Sequence, residues 1–296
     1  MQVAVYSQIL KEADLPYVET LIGELRARGV STYVYEPYRR ELAEARAELV
    51  DGLGSFTSHL DLRARNFDFV ITLGGDGTIL HATTLVRDSG VPIVGINLGR
   101  LGFLASIEKA MVRQTVALLS DGFYDVVERE MLELVTEDDL FGDLRFALND
   151  FTLLKRDTSS MITIHAYVNG DYLNSYWADG LIVATPTGST GYSLSCGGPI
   201  VFPGSGNFVI TPVAPHNLNV RPIVISDDNV VSFEVEGRSE NFLCTLDSRH
   251  EIIHEPRAPL AVRKAAYATR LVRIQDRSFL HTIRGKLHWG QDSRNH

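Results

Sequence analysis

Scarcity is the first thing this chain shows. Its 296 residues hold two cysteines, Cys196 and Cys244, far apart and outside any CxxC or His-rich setting. That excludes a disulfide framework and gives no sign of a cysteine zinc site, so a reducing, cytoplasmic location is expected. No apolar run is long enough to cross a bilayer, and the start Met1-Gln2-Val3-Ala4-Val5-Tyr6-Ser7 lacks the basic segment and apolar stretch of a signal peptide. No membrane partner is expected. Positive charge is in deficit: 28 basic against 37 acidic residues give a formal net charge of −9. This argues against a nucleic-acid-binding surface, although a local basic pocket for phosphates is compatible with it. Two common nucleotide signatures are also missing. There is no GxxxxGK[ST] loop, and no GxGxxG follows the first strand, Val3 to Ser7. Internal repeats and low-complexity segments are absent, and the one evident tail is Gly290 to His296.

What remains is the composition of a soluble globular protein, 45% hydrophobic and 22% charged, with ample material for a core. Up to about residue 125 the pattern alternates: strand-like Val3 to Tyr6, helix-like Tyr17 to Arg28, strand-like Val30 to Tyr35, then Phe67 to Leu73 and Pro92 to Ile96. Such alternation predicts a parallel sheet with helices on its faces. Within it, Arg40 to Asp51 reads as a solvated helix and Gly52 to Ser55 as a mobile loop. Beyond residue 125, Val126 to Thr136, Arg145 to Leu154, Ile162 to Val168 and Val230 to Val235 are separated by turns rather than long helices, so this half is expected to be mostly β. Ser278 to Leu287 again has helical spacing, with Phe279, Leu280, Ile283 and Leu287 on one stripe. The predicted organisation is therefore an α/β domain over residues 1–125, completed by a returning C-terminal segment 266–296, and a β-rich domain over 126–265.

The most informative motif is Gly74-Gly75-Asp76-Gly77-Thr78, directly after the apolar run Phe67 to Leu73 and before the helix-like Thr78 to Val86. Gly and Asp are common turn formers, so a plain turn is the simplest reading. A strand, a glycine turn and a helix start in succession also describe a phosphate site, with bare N–H groups and the helix dipole favouring an anion and Thr78 placed to cap the helix. An aspartate there would repel phosphate unless it binds a cation or accepts a proton from an attacking hydroxyl. Both roles belong to phosphoryl transfer. A second stretch, Asp179-Gly180-Leu181-Ile182-Val183-Ala184-Thr185-Pro186-Thr187-Gly188-Ser189-Thr190-Gly191-Tyr192-Ser193-Leu194-Ser195, runs a short apolar strand into a hydroxyl-rich turn, a dense donor set for a ribose or phosphate. A third, Gly95 to Leu104, joins a strand to a glycine loop and presents Phe103 as a base-stacking ring or a core aromatic.

In this order, GGDGT at 74–78, GINLGRLGFL at 95–104, Asn149-Asp150 and the long block at 179–195 resemble the NAD kinases, over most of the chain from Val3 to the Leu287-His288-Trp289-Gly290 ending. The resemblance implies transfer of the γ-phosphoryl group of ATP, with a divalent metal, Mg²⁺ carried by the nucleotide, to the 2′-hydroxyl of the adenosine ribose of NAD. By the same resemblance Asp76 is the general base or orienting acceptor. Gly77 lies beside it, and His81 is one helical turn further, placed to approach a phosphate or to pack. Asn149 and Asp150 would hold the adenine or its ribose, and Asp179 would face the nicotinamide end. Thr187, Thr190, Gly191, Tyr192 and Ser195 would line the dinucleotide groove, with Phe103 and Ala214 beside it. A homodimer or homotetramer is implied as well.

Three positions depart from the pattern. Asp150 stands where a glutamate is common, Trp177 where many relatives have Arg, and Asp247-Ser248 replaces a commoner Asp-Gly, which puts a tight turn there in doubt. Two other readings stay open at this point. Lipid and sugar kinases share a GGDG turn, and a protein that binds NADP without turnover would keep the groove while having no need of Asp76.

Overall fold

The computed structural model describes residues 1–100, 102–156, 161–236, 241–254, 260–274 and 279–287. The chain forms two compact units, Met1–Glu128 with Thr269–His296, and Arg129–Ala268.

The first unit is built on a sheet in the order Gly54–Phe56, Ser31–Tyr35, Gln2–Tyr6, Phe69–Leu73, Ile93–Asn97, Thr269–Arg273, Asp125–Arg129, with Ile107–Glu108 beside Ile93–Asn97. The pairs from Gly54–Phe56 across to Thr269–Arg273 are parallel. Helices Leu15–Ala27, Glu36–Ala45, Asp76–Val86 and Val112–Asp121 alternate with the strands in sequence. Phe69–Leu73 and Ile93–Asn97 are buried at every position, as strands covered on both faces must be, which is why they read as continuous apolar runs. The first strand pairs with Ser31–Tyr35 on one side and Phe69–Leu73 on the other, so strand order reverses between Gln2–Tyr6 and Phe69–Leu73. Open sheets of this kind bind ligands outside the carboxyl ends of the strands at such a reversal, and the GGDGT turn leaves from that end. The Ser7 hydroxyl donates to the Leu73 carbonyl at 2.8 Å and ties the two strand ends together.

The second unit is two six-stranded sheets. One runs Ile223–Ser226, Asn207–Val213, Gly180–Ala184, Asp150–Lys155, Asn241–Leu246, Arg249–His254; the other runs Asp171–Ala178, Ile162–Val168, Val231–Glu236, Leu260–Lys264, Leu132–Val135, Phe146–Ala147. Neighbouring strands are antiparallel, and alternate side chains of Ile162–Val168 and Asn241–Leu246 enter one apolar core that includes Phe151, Phe208 and Phe233. Gly180–Ala184 is buried throughout, because Ile182 and Ala184 join Val209 in a separate cluster against Cys196 and Val201. That second covering holds the hydroxyl-rich turn, which leaves the end of this strand.

Four local readings differ from the structure. Arg40 to Asp51 is not a solvated helix: the helix is Glu36–Ala45 with Pro37 in its first turn, a 3₁₀ turn follows at Ala47–Val50, and Tyr38, Leu42, Leu49 and Val50 are buried. Gly52 to Ser55 is not all loop, since Gly54–Phe56 pairs with Ser31–Tyr35 and buries Phe56 against Tyr35 and Phe67. The run Val126 to Thr136 is divided, Asp125–Arg129 joining the first sheet and Leu132–Val135 the β sheet that also holds Leu260–Lys264. Pairing partners made that division, and they lie far away in sequence. Finally, Thr78 does not cap the helix; it sits in the first turn of Asp76–Val86, with Gly75 at the cap. Within the C-terminal stripe, Phe279–Leu287 is helical and Ser278 lies outside the described residues, as do the Gly290 to His296 tail and residues 288–290 of the ending.

The Phe151 ring stacks on Phe233 with centroids 5.5 Å apart at the centre of the second unit. Phe151→Ala should cost about 3–5 kcal/mol of stability, seen as a lower urea midpoint with little change in slope.

Candidate functional site

Asp76 opens its helix, and its carboxylate is wrapped by the loop that follows Ile93–Asn97. Oδ2 accepts the Phe103 N–H at 2.8 Å, and Oδ1 accepts those of Leu104 and Ala105 at 3.0 and 2.9 Å. A carboxylate has about four lone-pair sites, so roughly one, on Oδ2, is left for a further donor. The loop is pinned a second time by Asn97, whose Nδ2 donates to the carbonyls of Arg100 and Ala105 at 2.7 and 3.3 Å while its Oδ1 accepts the Gly99 N–H at 2.8 Å. Gly102 is required by contact: an added Cβ would stand 1.7 Å from Asp76 Oδ1. At Gly75 and Gly77 an added Cβ would meet no atom within 4 Å, so the backbone of the turn is bare.

His81 is exposed, and its Nδ1 shares a 2.5 Å hydrogen bond with the hydroxyl of the buried Tyr6. Burial pushes the Tyr6 phenol well above its ordinary range, so it stays protonated. Phe103 is not an open platform. Its ring is half-buried, 6.3 Å from that of Phe279, with Lys286 Nζ 4.5 Å from its centroid.

In the second unit, Leu148, Asn149 and Asp150 have their main-chain groups held on both sides. Their three N–H groups donate to the carboxylate of Asp247, at 3.0, 2.7 and 3.3 Å. The Leu148 carbonyl accepts the Thr185 hydroxyl at 2.6 Å, the Asn149 carbonyl accepts the Thr185 N–H at 2.8 Å, and the Asp150 carbonyl accepts the Asp247 N–H at 2.9 Å. Gly188 packs so closely that an added Cβ would stand 2.0 Å from the Asn149 carbonyl oxygen. The doubtful Asp247-Ser248 turn is tight after all: Leu246 pairs with Arg249, and Asp247 takes a φ of +54°, a conformation Asp tolerates better than most residues. Arg249 then donates to the carbonyls of Leu144 and Phe146.

Asp150 is almost fully buried, and burial, reinforced by the charge of Asp247, pushes its carboxyl up to about 7. Asp247 is also raised by burial, opposed by the three N–H donors and by Arg249.

The hydroxyl-rich turn spends most of its donors internally. Ser189 bonds to the Pro186 carbonyl and to Val201, Ser193 shares a bond with Thr211, and Thr190 donates to the Thr187 carbonyl. The hydroxyl of Thr187 is different: it is buried and has no partner. Gly191, Tyr192 and Ser195 are exposed. Burial first, then Cys196, Asp179 and Asp150, raise the Tyr192 hydroxyl, which puts Tyr192 in the same neighbourhood as both acids. Asp179 Oδ1 pairs with Lys155 Nζ at 2.6 Å, and the Asp179 N–H donates to Val213 next to the exposed Ala214, whose φ is +45°. Trp177 lies 4.3 Å from His216, ring to ring.

The structure thus gathers Asp76, Gly77 and Phe103 about one loop, and Asn149, Asp150, Thr187 and Tyr192 about one end of a β sheet. Sequence reasoning missed Asn97 and Thr185, and treated Asp247 only as a departure. A polar residue ending an apolar strand was the available signal for the first two. Among the described residues no three His, Cys, Asp or Glu side chains form a cation cluster. Asp76, with three N–H donors on it, is poorly suited to a protein-built metal cage.

The ATP-NAD kinase N-terminal domain family matches residues 11–124, and the ATP-NAD kinase C-terminal domain family matches residues 148–274. The NAD kinase of Cytophaga hutchinsonii is 46% identical over 292 residues, covering 99% of each chain, and that of Flavobacterium psychrophilum is 44% identical over 297 residues, covering 100% of each. Among solved structures, yeast NADH kinase complexed with NADH superposes with a TM-score of 0.87 at 23% identity, covering 98% of this chain and 88% of that one. An NAD kinase from Archaeoglobus fulgidus in complex with ATP gives 0.73 at 23% identity, with coverage of 97% and 99%.

Two outcomes follow from the geometry. Gly102→Ala should expose the amides of Phe103, Leu104 and Ala105 to faster hydrogen exchange, because the added methyl displaces the carboxylate they bond. Asp150, raised from an ordinary 3.8 to about 7, binds its proton in the folded state across a range where the unfolded chain has released it. Stability should therefore fall as pH rises from about 4 to about 7, and Asp150→Asn should flatten that slope in urea titrations.

Proposed function

The chain belongs to the NAD kinase family, and on that premise we propose that it transfers the γ-phosphoryl group of ATP to the 2′-hydroxyl of the adenosine ribose of NAD, giving NADP. The observation that carries the reading is the Asp76 carboxylate, oriented by three N–H groups with one lone pair left over, beside a turn whose backbone is bare at Gly75 and Gly77. In this reading the hydroxyl donates to that lone pair, so its oxygen is aligned on phosphorus, and Asp76 takes the proton as the new P–O bond forms and the bond from the γ-phosphorus to ADP breaks, releasing ADP. Positioning and neutralisation of charge do most of the work in such transfers. Mg²⁺ bound by ATP supplies neutralisation of the phosphate charge. The residues best suited to meet the phosphates are those of the bare turn, with His81 held in place by Tyr6.

Asn149 and Asp150 take the adenine and its ribose in this reading. A carboxyl raised to about 7 offers a donor as well as an acceptor to ribose hydroxyls. Thr187 supports the groove assignment through its unpartnered hydroxyl, since a buried polar atom without a partner costs about 1–3 kcal/mol unless something arrives to pair with it. Thr190, Gly191, Tyr192, Ser195 and Ala214 line the same dinucleotide, Asp179 faces its nicotinamide end, and Phe103 flanks it with the exposed part of its half-buried ring. The free thiols of Cys196 and Cys244 fit a cytoplasmic enzyme, and a homodimer or homotetramer is the assembly that sedimentation should report.

Purified protein with ATP, Mg²⁺ and NAD should yield a product that an NADP-specific dehydrogenase accepts, which fixes the phosphate at the 2′ position. NADH belongs in the same acceptor panel. Asp76→Asn should lower kcat by about 10²–10⁴ with KM for NAD within a few fold. Turnover of a lipid or sugar and none of NAD would sink the reading, and tight NADP binding without turnover would favour a sensor.

A further inference from the structure

Asp247 has no role in the proposed substrate contacts, yet its half-buried carboxylate accepts three successive main-chain N–H groups, those of Leu148, Asn149 and Asp150. On the opposite side Thr185 takes the carbonyls of Leu148 and Asn149. Every main-chain polar group from the Leu148 N–H to the Asp150 carbonyl therefore has a named partner, and three of the six bond to one side chain. With the backbone so fixed, the side chains of Asn149 and Asp150 leave it in directions it sets. An ordinary hairpin turn needs no such carboxylate, and burying one in a turn has a desolvation cost that a glycine or asparagine would avoid.

We infer that Asp247 is a positioning residue for acceptor recognition: it holds the Leu148–Asp150 backbone in the one orientation that presents Asn149 and Asp150 to the dinucleotide. The inference rests on the reading of Asn149 and Asp150 given under Proposed function. Arg249 completes the device. It grips the carbonyls of Leu144 and Phe146 from the same hairpin, and its charge steadies the Asp247 carboxylate. The titratable neighbours of Asp150 are Asp247 and Tyr192, with Arg249 acting on the first and Asp179 on the second. Asp247 thus acts on Asp150 through charge as well as through the backbone, by opposing its ionisation.

The test uses the full-length enzyme. Asp247→Asn preserves shape but offers one acceptor oxygen to three donors. It should raise KM for NAD by roughly tenfold, with kcat and KM for ATP within about twofold. Asn149→Ala should do the same, and the double variant should be no more than about twofold worse than the poorer single one, because Asp247 works through Asn149. Removing the Asp247 charge should also move the pH midpoint of KM for NAD downward, which loss of packing alone would not do. If Asp247→Asn fails to fold, Asp247→Glu, which keeps the charge but displaces it, carries the same KM expectation. Wild-type KM for NAD in a folded Asp247 variant overturns the inference alone, and so does a double variant whose losses multiply. A wild-type enzyme that makes no NADP removes the underlying reading and this inference with it.

Discussion

Three N–H groups on the carboxylate of Asp76 are the contact from which the candidate chemistry of the first unit follows. A carboxylate at the start of a helix is favoured by the dipole and by the unpaired N–H groups there. Here it is also used up, in large part, by a second loop. The consequence is orientation: an acid held by three donors cannot swing, and its remaining lone pair has a defined direction. The same contact ties the segment after Ile93–Asn97 to the GGDGT turn, so that two motifs separated by some twenty residues become one object. Asn97 and Gly102 belong to that object, one by pinning both ends of the loop and the other by leaving room for the carboxylate.

The second unit repeats the device with a different purpose. Asp247 also takes three N–H groups, but it is half-buried, neighbours Asp150 and lies in a hairpin turn. Two acids close together in an apolar setting cannot both ionise cheaply, and Asp150 is the one pushed up to about 7. Burial raises both carboxyls; at Asp247 the three donors and Arg249 oppose that rise, while Asp150 keeps its proton into the neutral range. The hydroxyl-rich turn shows a related economy. Ser189 and Thr190 bond within the turn, Ser193 bonds to Thr211, and Thr187 alone among these four has a buried oxygen left without a partner.

Much of this was readable from residues. The continuous apolar runs Phe69–Leu73 and Ile93–Asn97 announced strands in a covered parallel sheet, and alternation in Ile162–Val168 announced a half-buried strand. Local patterning failed where pairing decides. Gly54–Phe56 looked like a loop until Phe56 found Tyr35 and Phe67, and Val126 to Thr136 looked like one strand although its two ends pair in different sheets. Phe103 was legible as an aromatic after glycine, but its neighbours Phe279 and Lys286 lie more than 170 residues downstream.

By itself the sequence determined the residue types, their order and their spacing: a lone acid among glycines after a buried strand, and an Asn-Asp pair followed by a hydroxyl-rich block. Those are local properties, and the chemistry of phosphoryl transfer makes them recognisable. Tertiary structure alone decided which polar groups remain available, because a hydrogen bond consumed by a distant backbone leaves no trace in spacing. That is why Asp76 keeps about one lone pair of four, why Thr187 rather than Ser189 is left unpaired, and why Asp247, nearly a hundred residues from Asn149, governs its backbone.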